Sequence, residues 1–576
     1  MKKIILWAAL FLLLPFTTQA YSDSISAHNP KTANAFLRWN LTAPEAERLA
    51  RYDLLILDME NQVNNPELIK RMRQFNPDIT ILAYVSSQEI RHDTAIHPEV
   101  TLRQKMFARL PESWYLRDAS TFKISFWNKT WMINVTDGAP LDQGERFNDY
   151  LPRFIDEEIL ATGLWDGIFY DNLWDSVSWL NGGNVDINND GSAESALELN
   201  QAWQKGVTKM LRNTRNRVGY DYILLANSSS FGDYQPFLNG RMFEDFPSVY
   251  EQDGTWQGNV NNYQEIKKLI VQPNIYIFNS TNTPKDNYSK MRYGLVSSLL
   301  FNDVYFSFDN SIYDHGQTWW YDEYEVALGR ALGIARQLNF SQNFNNIWRR
   351  DFVGGMVLLN NSASEQSFTI ESGYRKLYGA QDVIVNSGGE VTQVTIGPRD
   401  ALILQKVLPQ QNIYLKNYYR YQIYNASGEQ IYNNYQWGSD VYKNGELTKP
   451  EKNNQVSQIK SRQVIINGTR IEGSPTSTKA NIKIYNAKNK LVGIFKAYPD
   501  NLKSGVKVSL GDINGDKQLE IATLPVYGAP HLKIFNLKGK LLQEYWLGFT
   551  TDRFFYDLTI SDVNADKLAE ILVTKW

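Results

Sequence analysis

The 576-residue chain contains no cysteine, which excludes disulfide bonds, thiolate zinc sites and cysteine nucleophiles. Histidine is also scarce: there are five, and none stands in a metal-binding spacing. Neither sign of charge predominates, because 59 Lys and Arg oppose 62 Asp and Glu for a formal net charge of −3. This balance argues against a nucleic-acid-binding protein. Aromatic residues make up 13% of the chain, so carboxylates, amides and aromatic rings are the groups available for chemistry and recognition.

Long apolar runs are few, and the one at the N-terminus has the form of a secretory signal. Lys2 and Lys3 precede the apolar run 4–16, and Thr18-Gln19-Ala20 offers small residues for cleavage. The run is too short to span a bilayer, which takes about 20 residues. We therefore predict a signal peptide over residues 1–20 and a secreted protein, extracellular or at the cell surface. Hydrolysis or binding is favoured there over chemistry that needs ATP or NAD.

From about residue 30 to 340, apolar strand-like runs alternate with helical patterns. This alternation indicates a parallel sheet, and the length fits an α/β fold of the (β/α)₈ TIM-barrel type. An open doubly wound sheet is the competing fold, although no glycine fingerprint follows the first strand. Nine candidates compete for eight places, so one is surplus, either the first or Trp131–Val135. The candidates are Ala35–Trp39, Asp53–Asp58, Ile79–Val85, Trp131–Val135, Asp166–Asp171, Tyr222–Ala226, Arg241–Glu244, Asn274–Asn279 and Val304–Phe308.

Two further regions are predicted to be all-β. Residues 341–408 show short alternating strands and predict an antiparallel β-sandwich. Residues 412–576 contain a repeat with a period of about 50, in which Ile482–Asn486 matches Leu532–Asn536, and a third, degenerate unit begins near Tyr421. Such repeats predict propeller-like blades, although only about three are found. The strands predicted for the sandwich are Gly355–Leu359, Gln366–Ile370, Val391–Ile396 and Ala401–Gln405.

Acidic side chains collect at the predicted C-terminal ends of the barrel strands, where TIM-barrel active sites lie. Asp171 ends one apolar run and Glu244 ends another. Glycosidic cleavage needs one protonated and one ionised carboxyl group across the bond, and partial burial could separate their pKa values. We therefore predict Asp171 and Glu244 as a catalytic pair. The alternative is that Asp171 only caps a helix at residues 173–179.

Other polar and aromatic residues at these strand ends are predicted to bind a polyhydroxylated substrate. Carboxylates and amides hydrogen-bond to hydroxyl groups, and aromatic faces stack on sugar rings. His315, the only histidine beside a strand end, is a further candidate for substrate contact. The predicted substrate-binding residues are Trp39, Asp58, Glu60, Tyr84, Asn134, Asp137, Trp174, Asn227, Asn279 and Asp309.

The run Leu164–Asn172 resembles the Asp-Gly-containing barrel strand of the hypothetical glycosyl hydrolase family 15, relatives of the endo-α-1,4-polygalactosaminidases. Met242–Asp245, Trp348–Phe352 with the strand after it, and Gly397–Ala401 also resemble this family, so the resemblance covers roughly residues 35–407. It implies a (β/α)₈ glycoside hydrolase with Asp171 as nucleophile or base and Glu244 as general acid. It does not fix the sugar. Leu164-Trp165 replaces the usual Gly-Phe, a change that affects packing more than chemistry.

Three loops carry oxygen ligands at positions 1, 3, 5 and 9, a pattern that suits Ca²⁺. The first lies in the barrel region, and the other two resemble calcium-bracing loops of FG-GAP (integrin-like) repeats. None is a complete EF-hand, since Leu197 stands at position 12 of the first loop. Solvated turns that bind nothing are the alternative. The predicted ligands are Asp186, Asn188, Asp190 and Glu194, then Asp512, Asn514, Asp516 and Glu520, then Asp562, Asn564, Asp566 and Glu570.

Together these features predict a secreted glycoside hydrolase that cleaves O-glycosidic bonds of a polysaccharide. Catalysis is predicted to need no cofactor, calcium is predicted to be structural, and the C-terminal repeats are predicted to attach the protein to a cell surface or polymer. The alternative is a non-catalytic glycan-binding surface or adhesion protein whose repeats mediate contact.

Overall fold

The structure, a computed structural model, describes residues 29–407 except 311–314, 327, 339–345 and 353. The predicted signal peptide and the predicted ligands Asn514, Asp516, Asp562, Asn564 and Asp566 lie outside the described residues, so those predictions stay predictions. In the part of the chain that is described, no helix is long and apolar enough to cross a membrane. Beyond residue 412 the described segments are 413–417, 420–424, 430–435, 441–443, 446–448, 463–466, 468–474, 480–499, 502, 504–513, 517–528, 531–546, 554–561 and 570–575.

Strands and helices alternate through the first part of the chain, as the sequence predicts. The strands are β1 (Ala33–Phe36), β2 (Leu54–Asp58), β3 (Thr80–Ser86), β4 (Glu89–Arg91), β5 (Thr130–Met132), β6 (Gly167–Leu173), β7 (Ile223–Ser228), β8 (Gly240–Phe243), β9 (Tyr276–Ser280) and β10 (Val304–Phe308). The helices are α1 (Ala43–Leu49), α2 (Asn61–Asn64), α3 (Pro66–Phe75), α4 (Thr101–Arg109), α5 (Phe147–Phe154), α6 (Ala196–Val218), α7 (Trp256–Ile266) and α8 (Tyr288–Leu299).

Eight of these strands form a nearly closed parallel barrel in the order β1-β2-β3-β6-β7-β8-β9-β10. A parallel bridge between Thr32 and Phe306 joins the last strand to the chain just before β1. Strand side chains alternate between two apolar layers. Leu54, Leu82 and Leu225 belong to the cluster inside the barrel, and a larger cluster lies between the strands and the helices. The TIM-barrel prediction is confirmed over the open sheet, because β10 returns to the edge of β1.

The surplus strand candidate is Trp131–Val135. Its first residues lie in β5, which pairs antiparallel with β4 in a separate two-stranded ribbon. The alternation of apolar residues could not reveal this, because a strand outside the barrel has the same period of two as one inside it. β4 begins three residues after β3 ends, so the β4–β5 ribbon stands at the C-terminal end of the barrel.

A six-stranded antiparallel sheet follows the barrel, in the order β11-β12-β13-β16-β14-β15. It contains all four strands predicted for this region, hydrogen-bonded into a single sheet. One face packs on the barrel, where Val357 and Ile403 join the large core cluster, and the other face has its own buried cluster, in which Met356 and Leu402 pack with Phe368 and Val394. The strands are β11 (Arg336–Leu338), β12 (Ile347–Asp351), β13 (Gly355–Asn360), β14 (Gln366–Lys376), β15 (Glu390–Ile396) and β16 (Asp400–Lys406).

A buried arginine fixes this sheet to the barrel. The Arg292 guanidinium on α8 is 3% exposed and donates two hydrogen bonds of 2.9 Å to Asp400 and one of 2.7 Å to Asp382. Two parallel bonds between an arginine and a carboxylate set orientation as well as distance. Asp400 belongs to the motif Gly397–Ala401, which lies far from the cavity. The motif therefore has a structural role, since it fixes the sheet to the barrel.

The C-terminal region forms antiparallel sheets with the predicted repeat. The sheets β22-β23-β24-β25 and β26-β27-β29-β30 each have four strands, and β24 and β29 occupy the same place in them, 50 residues apart. β32 pairs in parallel with β17, so the last strand joins the first strand of this region. The strands are β17 (Ile413–Asn417), β18 (Arg420–Tyr424), β19 (Gln430–Tyr435), β20 (Val441–Lys443), β21 (Glu446–Thr448), β22 (Gln463–Ile466), β23 (Thr469–Gly473), β24 (Asn481–Tyr485), β25 (Leu491–Lys496), β26 (Val506–Gly511), β27 (Glu520–Pro525), β28 (Tyr527–Gly528), β29 (His531–Asn536), β30 (Leu541–Trp546), β31 (Phe554–Ser561) and β32 (Glu570–Lys575).

Candidate active site

The C-terminal end of the barrel opens into a cavity of about 960 Å³. Asp171, Asn227 and Glu244 line it, together with Tyr84 and His315. The volume is within the usual range for small-molecule and cofactor sites, and the position is the one at which TIM barrels carry their active sites. The cavity is therefore the candidate active site.

Each predicted catalytic carboxylate is followed by a sharp turn of the chain. Asp171 lies near the end of β6, and Asn172 after it has a left-handed backbone with φ of 58°. Glu244 directly follows β8, and Asp245 after it has φ of 54°. Asn and Asp adopt this conformation more readily than other L-residues. Asn and Asp at these two places let the strands end and leave the preceding carboxylates at the cavity.

The Asp166-Gly167 pair at the start of β6 has a structural explanation. The Asp166 carboxylate accepts hydrogen bonds from the Ile81 backbone N–H at 2.7 Å and from Arg73 at 2.9 Å, which holds β6 to β3 and α3. A Cβ on Gly167 would lie only 1.9 Å from the Ile223 carbonyl oxygen, so no larger residue fits beside β7. The motif thereby places β6, and with it Asp171, between its two neighbours.

Asn227 joins the two predicted catalytic carboxylates. Its Nδ2 donates to Asp171 Oδ1 at 3.2 Å and to Glu244 Oε2 at 2.8 Å. Since both bonds share one nitrogen, these two oxygens are no more than 6.0 Å apart. The two carboxyl groups are therefore neighbours that can reach a common ligand.

The two carboxyl groups differ in their hydrogen-bond partners. Burial raises the pKa of Asp171, but the hydroxyl of Tyr84, which donates to Oδ2 at 2.6 Å, and the Asn227 amide oppose the rise. Burial also raises the pKa of Glu244, and the negative charge of Asp171 raises it further, against the Asn227 bond. Tyr84 itself stays protonated, because burial and Asp171 raise its pKa well above the usual value. Asp171 is thus better stabilised as an anion, and Glu244 is better suited to hold a proton.

A second buried group borders the pair. Asp309 is fully buried after β10, accepts a hydrogen bond from Asn279 at 3.0 Å and lies 3.1 Å from Nδ1 of His315. Burial lowers the pKa of His315, but the close contact with Asp309 and the negative charges of Asp309, Glu244 and Asp171 outweigh it, so the pKa is raised. His315 is therefore protonated more readily than an ordinary histidine, while Asp309 and Asn279 form a layer behind it.

The acids at the end of β2 are engaged elsewhere. Asp58 lines the cavity wall but is 1% exposed, and both its oxygens bind Arg103 of α4, at 2.7 and 2.8 Å. Glu60 is fully buried, and its oxygens accept the backbone N–H groups of Leu102 and Arg103 at 2.9 Å. Burial raises the pKa of Glu60, and Arg103 and these N–H groups oppose the rise. Glu60, predicted to bind substrate, is instead placed where it holds the first turn of α4.

Asn134 and Asp137 do not reach the cavity. Asn134 is 1% exposed and binds the Ile187 carbonyl oxygen at 2.7 Å, which supports the loop around residue 187. Asp137 lies on the outer surface and pairs with Lys209 at 2.8 Å. Both follow the surplus strand Trp131–Val135, and because this strand is outside the barrel, the side chains after it do not join the barrel's active-site end.

Glu89 and Arg103 are cavity-lining residues that were not among the predicted site residues. Glu89 accepts hydrogen bonds from Thr130 at 3.0 Å and from Asn172 at 3.4 Å, and burial raises its pKa to about 7. Glu89 lies on β4, three residues after β3 ends. This short distance from a predicted strand end is the feature of the sequence that could have identified it as a site residue. Arg103 gave no such signal, because it lies in the middle of a helix.

Two of the predicted calcium loops share one hydrogen-bond pattern. In the first, Asp186 Oδ2 accepts the Gly191 N–H at 2.8 Å and Glu194 Oε2 accepts the Ile187 N–H at 3.0 Å. In the second, Asp512 accepts the Lys517 N–H at 2.8 Å and Glu520 accepts the Ile513 N–H at 3.0 Å. Across the described residues, no group of three or more His, Asp or Glu side chains is arranged to hold a metal ion. Calcium binding therefore stays a prediction.

One family model matches the part of the chain that lines most of this cavity. Residues 73–356 match the family model described as Hypothetical glycosyl hydrolase family 15. The match includes both Asp171 and Glu244, and it agrees with the barrel fold. No curated protein matches the chain.

Solved structures similar to this chain include several carbohydrate-active enzymes. The glycoside hydrolase domain of PelA from Pseudomonas aeruginosa is 12% identical, with a TM-score of 0.33, over 49% of this chain and 96% of that one. A β-L-arabinopyranosidase from Geobacillus stearothermophilus is 11% identical, with a TM-score of 0.36, over 67% and 97%. The trehalulose synthase MutB from Pseudomonas mesoacidophila is 9% identical, with a TM-score of 0.37, over 65% and 98%.

Proposed function

We propose that this protein is a secreted glycoside hydrolase that cleaves O-glycosidic bonds of a polysaccharide. The observation that carries the proposal is the pair formed by Asp171 and Glu244, which share one amide donor inside the cavity. Among the described residues, no Lys or Arg forms an ion pair with either carboxylate. The family match over residues 73–356 supports a carbohydrate as the substrate.

The hydrogen bonds assign different roles to the two groups. Asp171, with two donors on its oxygens, acts as the anion that attacks the anomeric carbon and forms a glycosyl ester. Glu244, whose pKa is raised, gives its proton to the departing oxygen. In the second half of the reaction Glu244 takes a proton from water, and the hydroxyl formed displaces Asp171.

The spacing of the pair favours retention of anomeric configuration. Carboxyl groups of retaining enzymes are about 5–5.5 Å apart, and those of inverting enzymes about 6.5–9.5 Å. Asp171 Oδ1 and Glu244 Oε2 are at most 6.0 Å apart, which is below the range of the inverting class. Proton NMR at early times of hydrolysis would then show a product with the anomeric configuration of the substrate.

The test is reducing-end release from a panel of α-linked polysaccharides, including a galactosaminogalactan-type polymer. We expect Asp171→Asn and Glu244→Gln each to lower the rate by about a thousandfold or more, because each removes a proton-transfer or covalent step. Neither should lower the melting temperature, since each keeps the shape of the side chain and removes a buried acid whose ionisation burial disfavours. Asp245→Asn is the matched control, because Asp245 is adjacent to Glu244 but pairs with Lys290. Unchanged release in both active-site variants would contradict the proposal.

Glycan binding without release by the unsubstituted chain would favour the alternative function, a non-catalytic surface or adhesion protein. The relation to polygalactosaminidases, a propeller arrangement of the repeats and their attachment to a cell surface or polymer also belong to the proposal. The repeat of β24 and β29 and the pairing of β32 with β17 support a closed blade arrangement.

Calcium is proposed as a structural ion in the loops that begin at Asp186 and Asp512. In sequence, both loops carry acidic and amide side chains at alternating positions, which is the donor set that Ca²⁺ prefers. Binding to the folded state alone raises stability, so chelation should lower the melting temperature of the full chain and added Ca²⁺ should restore it. No shift on restoring Ca²⁺ would count against the ion.

A further inference from the structure

An exposed aromatic cluster lies beside the cavity. Phe126 contacts Trp127, Trp174 and Trp179 with ring centroids 4.9, 5.1 and 5.1 Å apart, and Trp174 and Trp179 are also 5.1 Å apart. All four contacts are edge-to-face, the arrangement that aromatic rings prefer. The rings therefore hold one another in place.

Three of these rings are open to solvent. Phe126 is 43% exposed, Trp127 51% and Trp179 49%. Contiguous apolar surface of this kind on a soluble protein usually marks a binding site. The three half-exposed rings offer roughly 300 Å², much less than the about 800 Å² per partner of a stable protein interface. The cluster is thus suited to a small planar or ring-shaped group.

The aromatic cluster is continuous with the candidate active site. Trp127 and Asn128 line the cavity, and Trp174 follows directly on β6, three residues after Asp171. The Tyr234 hydroxyl donates to the Trp174 carbonyl oxygen at 3.1 Å, and the Trp179 indole N–H donates to the Ser176 carbonyl oxygen at 2.9 Å. These bonds fix the backbone after Asp171 and the orientation of the outer ring.

We propose that the aromatic cluster of Phe126, Trp127, Trp174 and Trp179 is a binding subsite for a sugar unit of a polysaccharide chain that continues out of the cavity. A pyranose has an apolar C–H face that packs on aromatic rings, while its hydroxyl groups stay in water. The inference rests on the proposed function, because it assumes that the bound polysaccharide runs from the cluster to Asp171 and Glu244. It adds that substrates too short to reach the cluster are bound less tightly.

Binding is measured separately from turnover by affinity gel electrophoresis of the full chain. The gels contain each polymer of the α-linked panel, and Asp171→Asn is the background, so that bound polymer is not cut. Trp127→Ala and Trp179→Ala are added singly. Each substitution should weaken binding to the polymer, measured as the retardation constant, by roughly three- to tenfold, which corresponds to the loss of one aromatic contact. Tyr220→Ala is the matched control, since Tyr220 is 57% exposed and lies before β7, at the opposite end of the barrel.

Loss of retardation in both tryptophan variants, with Tyr220→Ala unchanged, supports the subsite. Retardation that is equal in all variants, or no retardation of the background protein by any polymer of the panel, would overturn it and leave a protein or lipid surface as the ligand of these rings. In the catalytically intact chain, the tryptophan variants should raise KM for the polymer and leave kcat within about twofold. The proposed function fails by a different outcome, namely binding that depends on these rings with no release of reducing ends.

Discussion

The ends of β2 and of β6 and β8 look alike in the sequence, since each presents acidic residues just after an apolar strand. At β2, Asp58 and Glu60 are buried around Arg103 and the first N–H groups of α4. At β6 and β8, Asp171 and Glu244 accept hydrogen bonds from an amide and a phenol, which are neutral donors. The charge of a carboxylate that faces a guanidinium is balanced within the protein. A carboxyl group that is hydrogen-bonded by neutral donors can still offer its charge or its proton to a ligand.

The largest expected difference between the two regions concerns stability. Arg103→Met keeps the length of the side chain but leaves Asp58 and Glu60 buried without their cation. We expect a loss of about 3–5 kcal/mol in the free energy of unfolding, the usual effect of removing one partner from a buried ion pair. Chemical denaturation, monitored by a spectroscopic signal that reports unfolding of the barrel, measures this change in the free energy of unfolding.

The matched control for Arg103 is Arg109→Met, in the same helix. Arg109 pairs with Asp142 and Glu145, whose side chains are 33% and 17% exposed and thus less buried than Asp58 and Glu60, so its loss should cost less. Adding Asp58→Asn to Arg103→Met should recover part of the lost stability. Equal effects of the two arginine substitutions would show that the acids at β2 are not held by Arg103, and that the two regions are more alike than their contacts indicate.

Glu89 sharpens the distinction, because it lines the same cavity and accepts hydrogen bonds from two neutral donors, Thr130 and Asn172. Its pKa is raised from 4.5 to about 7 by burial. The folded protein therefore binds more protons than the unfolded chain between pH 4.5 and 7, so this residue lowers stability as pH rises through that window. Glu89→Gln should gain stability relative to the unsubstituted chain on going from pH 5 to pH 8, by up to about 3 kcal/mol.

Denaturation at the two pH values measures the effect of Glu89→Gln. Glu112→Gln is the control, since Glu112 is an exposed carboxylate whose pKa is lowered by Lys123 and Arg117. It should show no gain at pH 8. A pH-independent difference for Glu89→Gln would mean that Glu89 titrates at its ordinary pKa and is not desolvated by the cavity.

The barrel and the acids at its strand ends could be predicted from the sequence, because both follow from the local period of apolar residues. The partners of those acids could not. Glu60 binds backbone N–H groups more than 40 positions further along the chain, and Arg103 comes from a helix with no marked pattern. The strand at Trp131–Val135 has a similar explanation: its partner β4 is only three residues long, and a strand of that length leaves no period to detect.

The smallest of these effects concerns a single hydroxyl group. The Tyr84 hydroxyl donates to Asp171 at 2.6 Å and thereby favours the charged carboxylate. Tyr84→Phe removes this donor, so the pKa of Asp171 should rise and the acidic limb of the pH profile of kcat/KM should move to higher pH by about one unit. Tyr170→Phe is the matched control, because the Tyr170 hydroxyl bonds Thr214 behind the same strand. If both variants left the acidic limb in place, hydrogen bonds from neutral donors would not be what keeps Asp171 ionised, and the positive charge of His315 would be the better explanation.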